Sequence, residues 1–175
     1  MSQPLGLRIG SIGLLAIGLL GFATINELAA ASKEKEAQRH IQTLRTSQDP
    51  KAVVSALEEL GKLGQIIKSL AAPAIPEIMI ALKHSDPKIR AAAAVAIGKV
   101  DADPKEVLPV LIKMLKDDPA EEVKIAATRG LAAMGDMAKP ATKELRELSK
   151  TDELRKTKLG RAAQDAMRSI NARRD

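Results

Sequence analysis

Side chains able to do acid–base or metal chemistry are few in this sequence, and they do not cluster. His40 and His84 are the only two histidines, and cysteine is absent. Acidic residues occur instead as adjacent pairs, namely Glu58-Glu59, Asp117-Asp118 and Glu121-Glu122. Adjacent residues diverge on a helix, so these pairs indicate solvated faces or helix caps rather than acid–base dyads. A zinc site would need Cys or clustered His and carboxylates. We therefore predict no catalytic residue, no metal site, no cofactor and no enzymatic activity.

Basic residues are concentrated near the C-terminus. The chain carries a net charge of +6, and residues 139–175 hold 11 Lys/Arg against 6 Asp/Glu. A basic surface attracts phosphates, but stacking of bases needs aromatic side chains, and the sequence has no Trp or Tyr and only Phe22. The pattern therefore favours a solvated face, or contact with an acidic protein or anionic lipid headgroups, over nucleic acid. The residues expected to contact a partner are Arg90, Lys124, Arg155, Lys158, Arg161 and Arg168.

Helices must position these residues, because the apolar pattern has helical spacing. Asp86 is a suitable N-cap, and Pro87 fits the first helical position. The apolar residues that follow recur at the spacing of one buried helical face. They are Ile89, Ala92, Ala93, Ala96, Ile97 and Val100. Half of them are alanine, so a neighbouring helix can approach closely.

The same face recurs along the chain, which predicts a repeat architecture. An offset of 34 gives Val123, Ala126, Ala127, Gly130, Leu131 and Met134, and a further 36 gives Leu159, Ala162, Ala163, Ala166, Met167 and Ile170. Going back by 37 gives a weaker copy, Ala52, Ser55, Ala56, Glu59, Leu60 and Leu63. A second apolar helix precedes each copy, beginning near Ala37, Ile75, Leu108 and Ala141. Each unit is therefore a helix, a turn and a helix.

The unit resembles a HEAT repeat of the short bacterial kind. The resemblance rests on Pro76 and Pro109, the Asp86-Pro87 turn, the pairs Ile89-Arg90 and Val123-Lys124, and Ala96-Ile97-Gly98. In that family a turn aspartate and an arginine of the second helix form a ladder between repeats. The resemblance implies this role for Asp86 with Arg90, and nearly so for Asp118 with Lys124. It also implies protein binding. In the last unit, Gly160 and Glu144 depart from the pattern.

A membrane segment precedes the repeats in our interpretation. Residues 9–25 carry no charge, and a spanning helix needs about 20 apolar residues. We place the membrane contact at residues 5–31, as an uncleaved anchor. Small residues fall on one side of this helix, where another membrane helix can pack closely. The glycines among them are Gly6, Gly10, Gly13 and Gly21. The alternative is a signal peptide cleaved after Ala29-Ala30-Ala31.

The prediction is therefore an all-α chain with three parts. Residues 1–31 form a single transmembrane helix, residues 32–172 form a short α-solenoid of four HEAT-like helix pairs, and residues 173–175 fray. The basic residues flanking the span slightly favour the cytoplasmic side for the repeats. The expected function is a membrane-anchored protein-binding scaffold, an accessory subunit of a membrane complex. Two alternatives stay open: a HEAT-like bilin lyase or lyase-type chaperone, and an exported soluble HEAT-repeat adaptor.

Overall fold

Helices make up the secondary structure of the described part of the chain. In this computed structural model, the backbone of residues 12–172 and the side chains of residues 27–172 are described. The chain divides into two compact units, Met1–Glu36 and Ala37–Asp175. Between residues 12 and 172 there is no strand, which confirms the all-α class.

The helices follow one another with short connections. They are α1 (Ile12–Thr46), α2 (Pro50–Ile66), α3 (Lys68–Ala71), a 3₁₀ turn (Ala72–Ala74), α4 (Ile75–Ala81), α5 (Pro87–Lys99), α6 (Pro104–Asp117), α7 (Glu121–Met134), a 3₁₀ segment (Gly135–Ala141), α8 (Thr142–Glu147), α9 (Asp152–Lys156) and α10 (Lys158–Asn171). The second unit contains the last turns of α1 and everything after them.

Four helix pairs form the second unit, as the repeats predict. The first helices are the end of α1, then α4, α6 and α8, and the second helices are α2, α5, α7 and α10. Each second helix packs against the next, α2 on α5, α5 on α7 and α7 on α10. The predicted apolar faces of α5 and α7 are buried almost throughout, with Ala92 half-buried as the exception.

The first unit of the repeat array needs a corrected register. The predicted offset of 37 aligns the Asp-Pro-Lys caps, but it leaves Ser55 exposed and Glu59 half-exposed. An offset of 36 instead gives Val53, Ala56, Leu57, Leu60, Gly61 and Gly64, all of them buried. Measured from its buried face, α2 therefore begins one residue earlier than α5 does.

The membrane prediction falls largely outside the described residues. No helix among the residues that the structure describes is both long and apolar enough to cross a membrane. The uncharged run and the glycines at positions 6, 10, 13 and 21 belong to residues 1–26, whose side chains are not described. The predicted fraying of residues 173–175 also lies beyond the described range. The anchor therefore stays a prediction from sequence.

Candidate protein-binding groove

Three consecutive second helices line an open groove, which we call the main groove. Its volume is about 1150 Å³, and its lining comes from α2, α5 and α7. Two helix starts mark one end, where Asp49 accepts a hydrogen bond from the Lys51 backbone N–H at 3.1 Å and Asp86 accepts one from Lys88 at 2.8 Å. These caps fix where α2 and α5 begin.

The floor of the main groove is apolar and made of small side chains. Val54 of α2 and Ala91, Ala92 and Val95 of α5 line it, and all four are half-buried. Charged residues of both signs surround this floor. They are Asp49, Lys51, Glu58, Lys62, Asp86, Lys88, Lys99, Glu122 and Arg129. An apolar centre with a polar rim is the usual composition of a protein-binding surface.

A second, smaller groove lies between α7 and α10, and we call it the basic groove. Its volume is about 420 Å³, with alanines 132, 162 and 166 in its lining. Arg129, Lys158 and Arg161 also line it, and we call these three residues the cationic cluster. Asp165 is the single acidic residue among the lining residues that the structure describes. Because Arg129 lines both grooves, the two adjoin.

A partly buried ion pair connects two successive units beside these grooves. Arg90 of α5 donates from Nε to Asp118 Oδ2 at 2.8 Å and from Nη2 to Oδ1 at 2.9 Å. Its Nη1 donates to the carbonyls of His84 at 2.9 Å and Ser85 at 2.8 Å. The side chains are only 13% and 8% exposed. One guanidinium thus joins the turn of its own unit to the turn of the next.

The Arg90 hydrogen bonds change the acidity of Asp118. The side-chain hydrogen bond from Arg90 lowers the pKa of the Asp118 carboxyl below its ordinary value, against the opposing effect of burial. A further hydrogen bond from the Ala120 backbone N–H, at 3.0 Å, acts in the same direction. Asp118 is therefore an ionised anchor of the stack, since both sets of donors favour its charged form.

Sequence comparison identifies the repeat. The family model for HEAT repeats matches residues 37–132 and, in an overlapping second match, residues 75–164. These matches cover well over half of the chain. The protein belongs to the HEAT-repeat family. No curated protein is significantly similar to it in sequence.

The ladder expected between HEAT repeats is present between the second and third units. Arg90 pairs with Asp118 of the following unit, whereas Asp86 caps its own helix. Lys124 does not continue this ladder with a carboxylate; its Nζ donates to the Lys116 carbonyl at 3.0 Å. Because Arg90 and Lys124 already make side-chain hydrogen bonds within the chain, they are not part of the partner surface proposed below.

The remaining predicted contact residues divide between the basic groove and other surfaces. Lys158 and Arg161 line the basic groove, as described above. Arg155 lies in α9, where it donates to the Ser149 carbonyl at 2.9 Å and pairs with Asp152 at 2.8 Å. Arg168 pairs with Asp165 at 3.3 Å and stays exposed.

Sequence reasoning missed two features of this HEAT repeat array. Arg129 was not among the predicted contact residues. It lies on α7 next to the buried Gly130 and off the apolar face of that helix. This position could have indicated that its side chain is exposed on the groove side. The one-turn helix α9 was also missed. It explains Gly160, because a Cβ atom at that position would collide with the Leu154 carbonyl of α9.

Proposed function

We propose that this HEAT-repeat protein is a membrane-anchored, non-enzymatic scaffold that binds another protein and serves as an accessory subunit of a membrane complex. The main groove is the observation that carries the binding part of this proposal. It is open, it has a floor of small apolar side chains, and it extends across three stacked second helices. Repeats that stack in this way form extended surfaces suited to holding another protein.

The membrane part of the proposal rests on sequence. The uncharged run at residues 9–25 is long enough to begin a spanning helix, and the glycine side at positions 6, 10, 13 and 21 suits close packing with another membrane helix. We propose that the repeats lie on the cytoplasmic side, because Lys33, Lys35 and Arg39 outnumber Arg8 around the span.

Detergent extraction followed by affinity purification of the full-length chain tests the proposal. We expect carbonate to leave the chain in the membrane fraction and mild detergent to recover it with a stoichiometric membrane protein. Gly10→Leu is expected to lose that partner while staying in the membrane, because the added side chain prevents close helix packing. Leu19→Phe adds bulk on the opposite side of the predicted helix, and this control should keep the partner.

Three other outcomes would contradict the proposal in different ways. A mature chain that starts near Ser32 would favour the exported adaptor. A transient soluble partner carrying a bound pigment would favour the bilin-lyase alternative. Recovery of the chain alone, at native expression and in mild detergent, would remove the accessory-subunit role.

A further inference from the structure

The basic groove, formed by α7 and the C-terminal unit, brings three basic residues to one partly apolar lining. Four basic residues of that unit have an acidic neighbour three positions away, namely Lys139 with Asp136, Lys150 with Glu147, Arg155 with Asp152 and Arg168 with Asp165. Within the described residues, the side chains of the cationic cluster, Arg129, Lys158 and Arg161, make no ion pair and no hydrogen bond. The same is true of Lys143, Arg146 and Lys156, but these three lie outside the groove lining. The one acidic residue of the groove, Asp165, is occupied by Arg168.

The position of two cluster residues on α10 adds a second argument. Lys158 is the first residue of this 14-residue helix and Arg161 follows one turn later, while its first turn contains no acidic residue. The start of a helix carries the positive end of the helix dipole, which disfavours cations and favours anions. Both side chains therefore stand where a bound anion would lower the free energy of the folded chain.

From these observations we propose that the basic groove binds an acidic segment of a partner protein, whose carboxylates contact Arg129, Lys158 and Arg161. This inference rests on the proposed function, since it names the chemistry of the partner held by the adjoining main groove. The partner segment would lay its apolar side on the small floor residues of the main groove and direct its acidic end toward α10.

The shape of the site favours a protein segment over a bilayer. The cationic cluster is exposed but lines the same groove as three alanines, and a flat headgroup surface would leave those alanines uncovered. The lining of alanines and Ile125 instead suits the aliphatic side chains of an amphipathic helix, and a helix bound in a groove is a common mode of recognition. Nucleic acid is disfavoured because the sequence offers no Trp or Tyr for base stacking.

The stack also sets the length of the segment. Packed helices lie about 8–10 Å apart, so the three steps from α2 to α10 extend over about 24–30 Å. A helix rises about 1.5 Å per residue, and a helical segment of about 16–20 residues would therefore cover both grooves.

Peptide binding to the purified full-length chain in detergent tests the inference. The probe is a fluorescent amphipathic peptide of about 18 residues with an apolar side and glutamates at one end, and its control carries glutamines instead. We expect the wild-type chain to bind the glutamate peptide at least about tenfold more tightly than the glutamine peptide in about 0.1 M salt, and the difference to shrink in about 1 M salt.

Two triple variants with the same change in charge separate the groove from general electrostatics. Arg129→Gln, Lys158→Gln and Arg161→Gln together should abolish the preference for glutamate. Lys143→Gln, Arg146→Gln and Lys156→Gln change exposed residues of α8 and α9 and should preserve it. Far-UV circular dichroism checks that each variant keeps its helices.

Several results would overturn the inference. It fails if the wild-type chain shows no preference for the glutamate peptide, or if both triple variants behave alike. It also fails if phosphatidylserine vesicles or single-stranded DNA bind in a cluster-dependent way and the peptide does not. If the cluster variant recovers the membrane partner as well as the wild type, only this inference is lost. If the wild type recovers no partner at all, the proposed function is lost independently of peptide binding.

Discussion

At the scale of single residues, Asp118 has the most completely defined surroundings. Its carboxylate accepts a bidentate pair from Arg90 and a backbone hydrogen bond from Ala120, in a position that is only 8% exposed. Arg90 in turn donates from Nη1 to the carbonyls of His84 and Ser85. Loss of the carboxylate charge would leave a largely buried guanidinium without its counterion.

The variant Asp118→Asn is expected to lower the free energy of unfolding by about 1.5–3 kcal/mol, the usual contribution of hydrogen bonds to a charged group. The asparagine oxygen can still accept from the Ala120 N–H, so the loss reports mainly on the pair with Arg90. Chemical denaturation of the full-length chain measures it. Asp117→Asn changes the exposed neighbour and should alter stability by less than about 0.5 kcal/mol. Equal effects of the two substitutions would show that the pair is not a stabilising contact.

The pH dependence of stability follows from the lowered pKa of Asp118. Because the folded-state pKa lies below that of the unfolded chain, the contribution of Asp118 is complete above the unfolded value of about 3.9 and is lost as the pH falls through the folded value. Denaturation midpoints measured between neutral and strongly acidic pH should fall less steeply for Asp118→Asn than for the wild type. Parallel curves would contradict this assignment.

At the scale of elements, α5 is the centre of the stack because it packs against α2 on one side and α7 on the other. Contacts with α7 are made possible by glycine. A Cβ atom at Gly98 would collide with the Gly130 carbonyl, and one at Gly130 would collide with the Ala94 carbonyl. The two helices therefore meet backbone to backbone.

The variant Gly98→Ala should consequently separate α5 from α7 and destabilise the chain by about 1–3 kcal/mol, as overpacking does elsewhere. Gly61→Ala is the matched control on α2, since its Cβ atom would lie 3.3 Å from the Ala96 Cα, a tight contact that small shifts can relieve. Thermal denaturation of both variants provides the comparison. If Gly98→Ala is as stable as the control, the close crossing of α5 and α7 is incorrect.

Glu144 is the residue of α8 that departs from the repeat pattern. Its slot corresponds to Ile78 and Leu111, which are fully buried, and its Oε2 is buried with no hydrogen-bond partner among the described residues. A buried acceptor left unsatisfied costs about 1–3 kcal/mol. Glu144→Leu should therefore raise the unfolding free energy by about 1 kcal/mol or more, as measured by denaturant titration. A loss of stability would indicate that the carboxylate has a structural role.

Helices with a strong repeat of apolar residues were predicted better than the others. The faces of α5 and α7 were predictable because large and small residues recur in fixed slots. Ala94 and Gly98 were not, because their burial depends on the neighbouring α7 rather than on the period of α5. The register of α2 was misplaced because its cap and its buried face follow different offsets.

At the scale of the whole molecule, the grooves arise only from stacking. The helix pairs were predictable one at a time, but a groove needs residues of α2, α5 and α7 to lie side by side. Lys158 and Arg161 were predicted as contact residues because they lie in the basic C-terminal stretch. Arg129 was not predicted, because it comes from the preceding unit and joins them only in the folded stack. From sequence, Arg90 was assigned both to the partner surface and to the ladder. The structure shows that it pairs with Asp118 of the next unit.

The central claim is that the main groove holds a protein partner, and one comparison of variants in the co-purification experiment tests it most directly. Ala91→Arg and Ala92→Arg together place two large side chains on the floor of the main groove, where both positions are half-buried. Ile80→Arg adds the same side chain to α4 at a position that is 69% exposed and outside the groove lining. With helix content unchanged in both, we predict that the groove variant loses the partner and the Ile80 variant keeps it. Retention of the partner by the groove variant, at wild-type stoichiometry, would contradict the account.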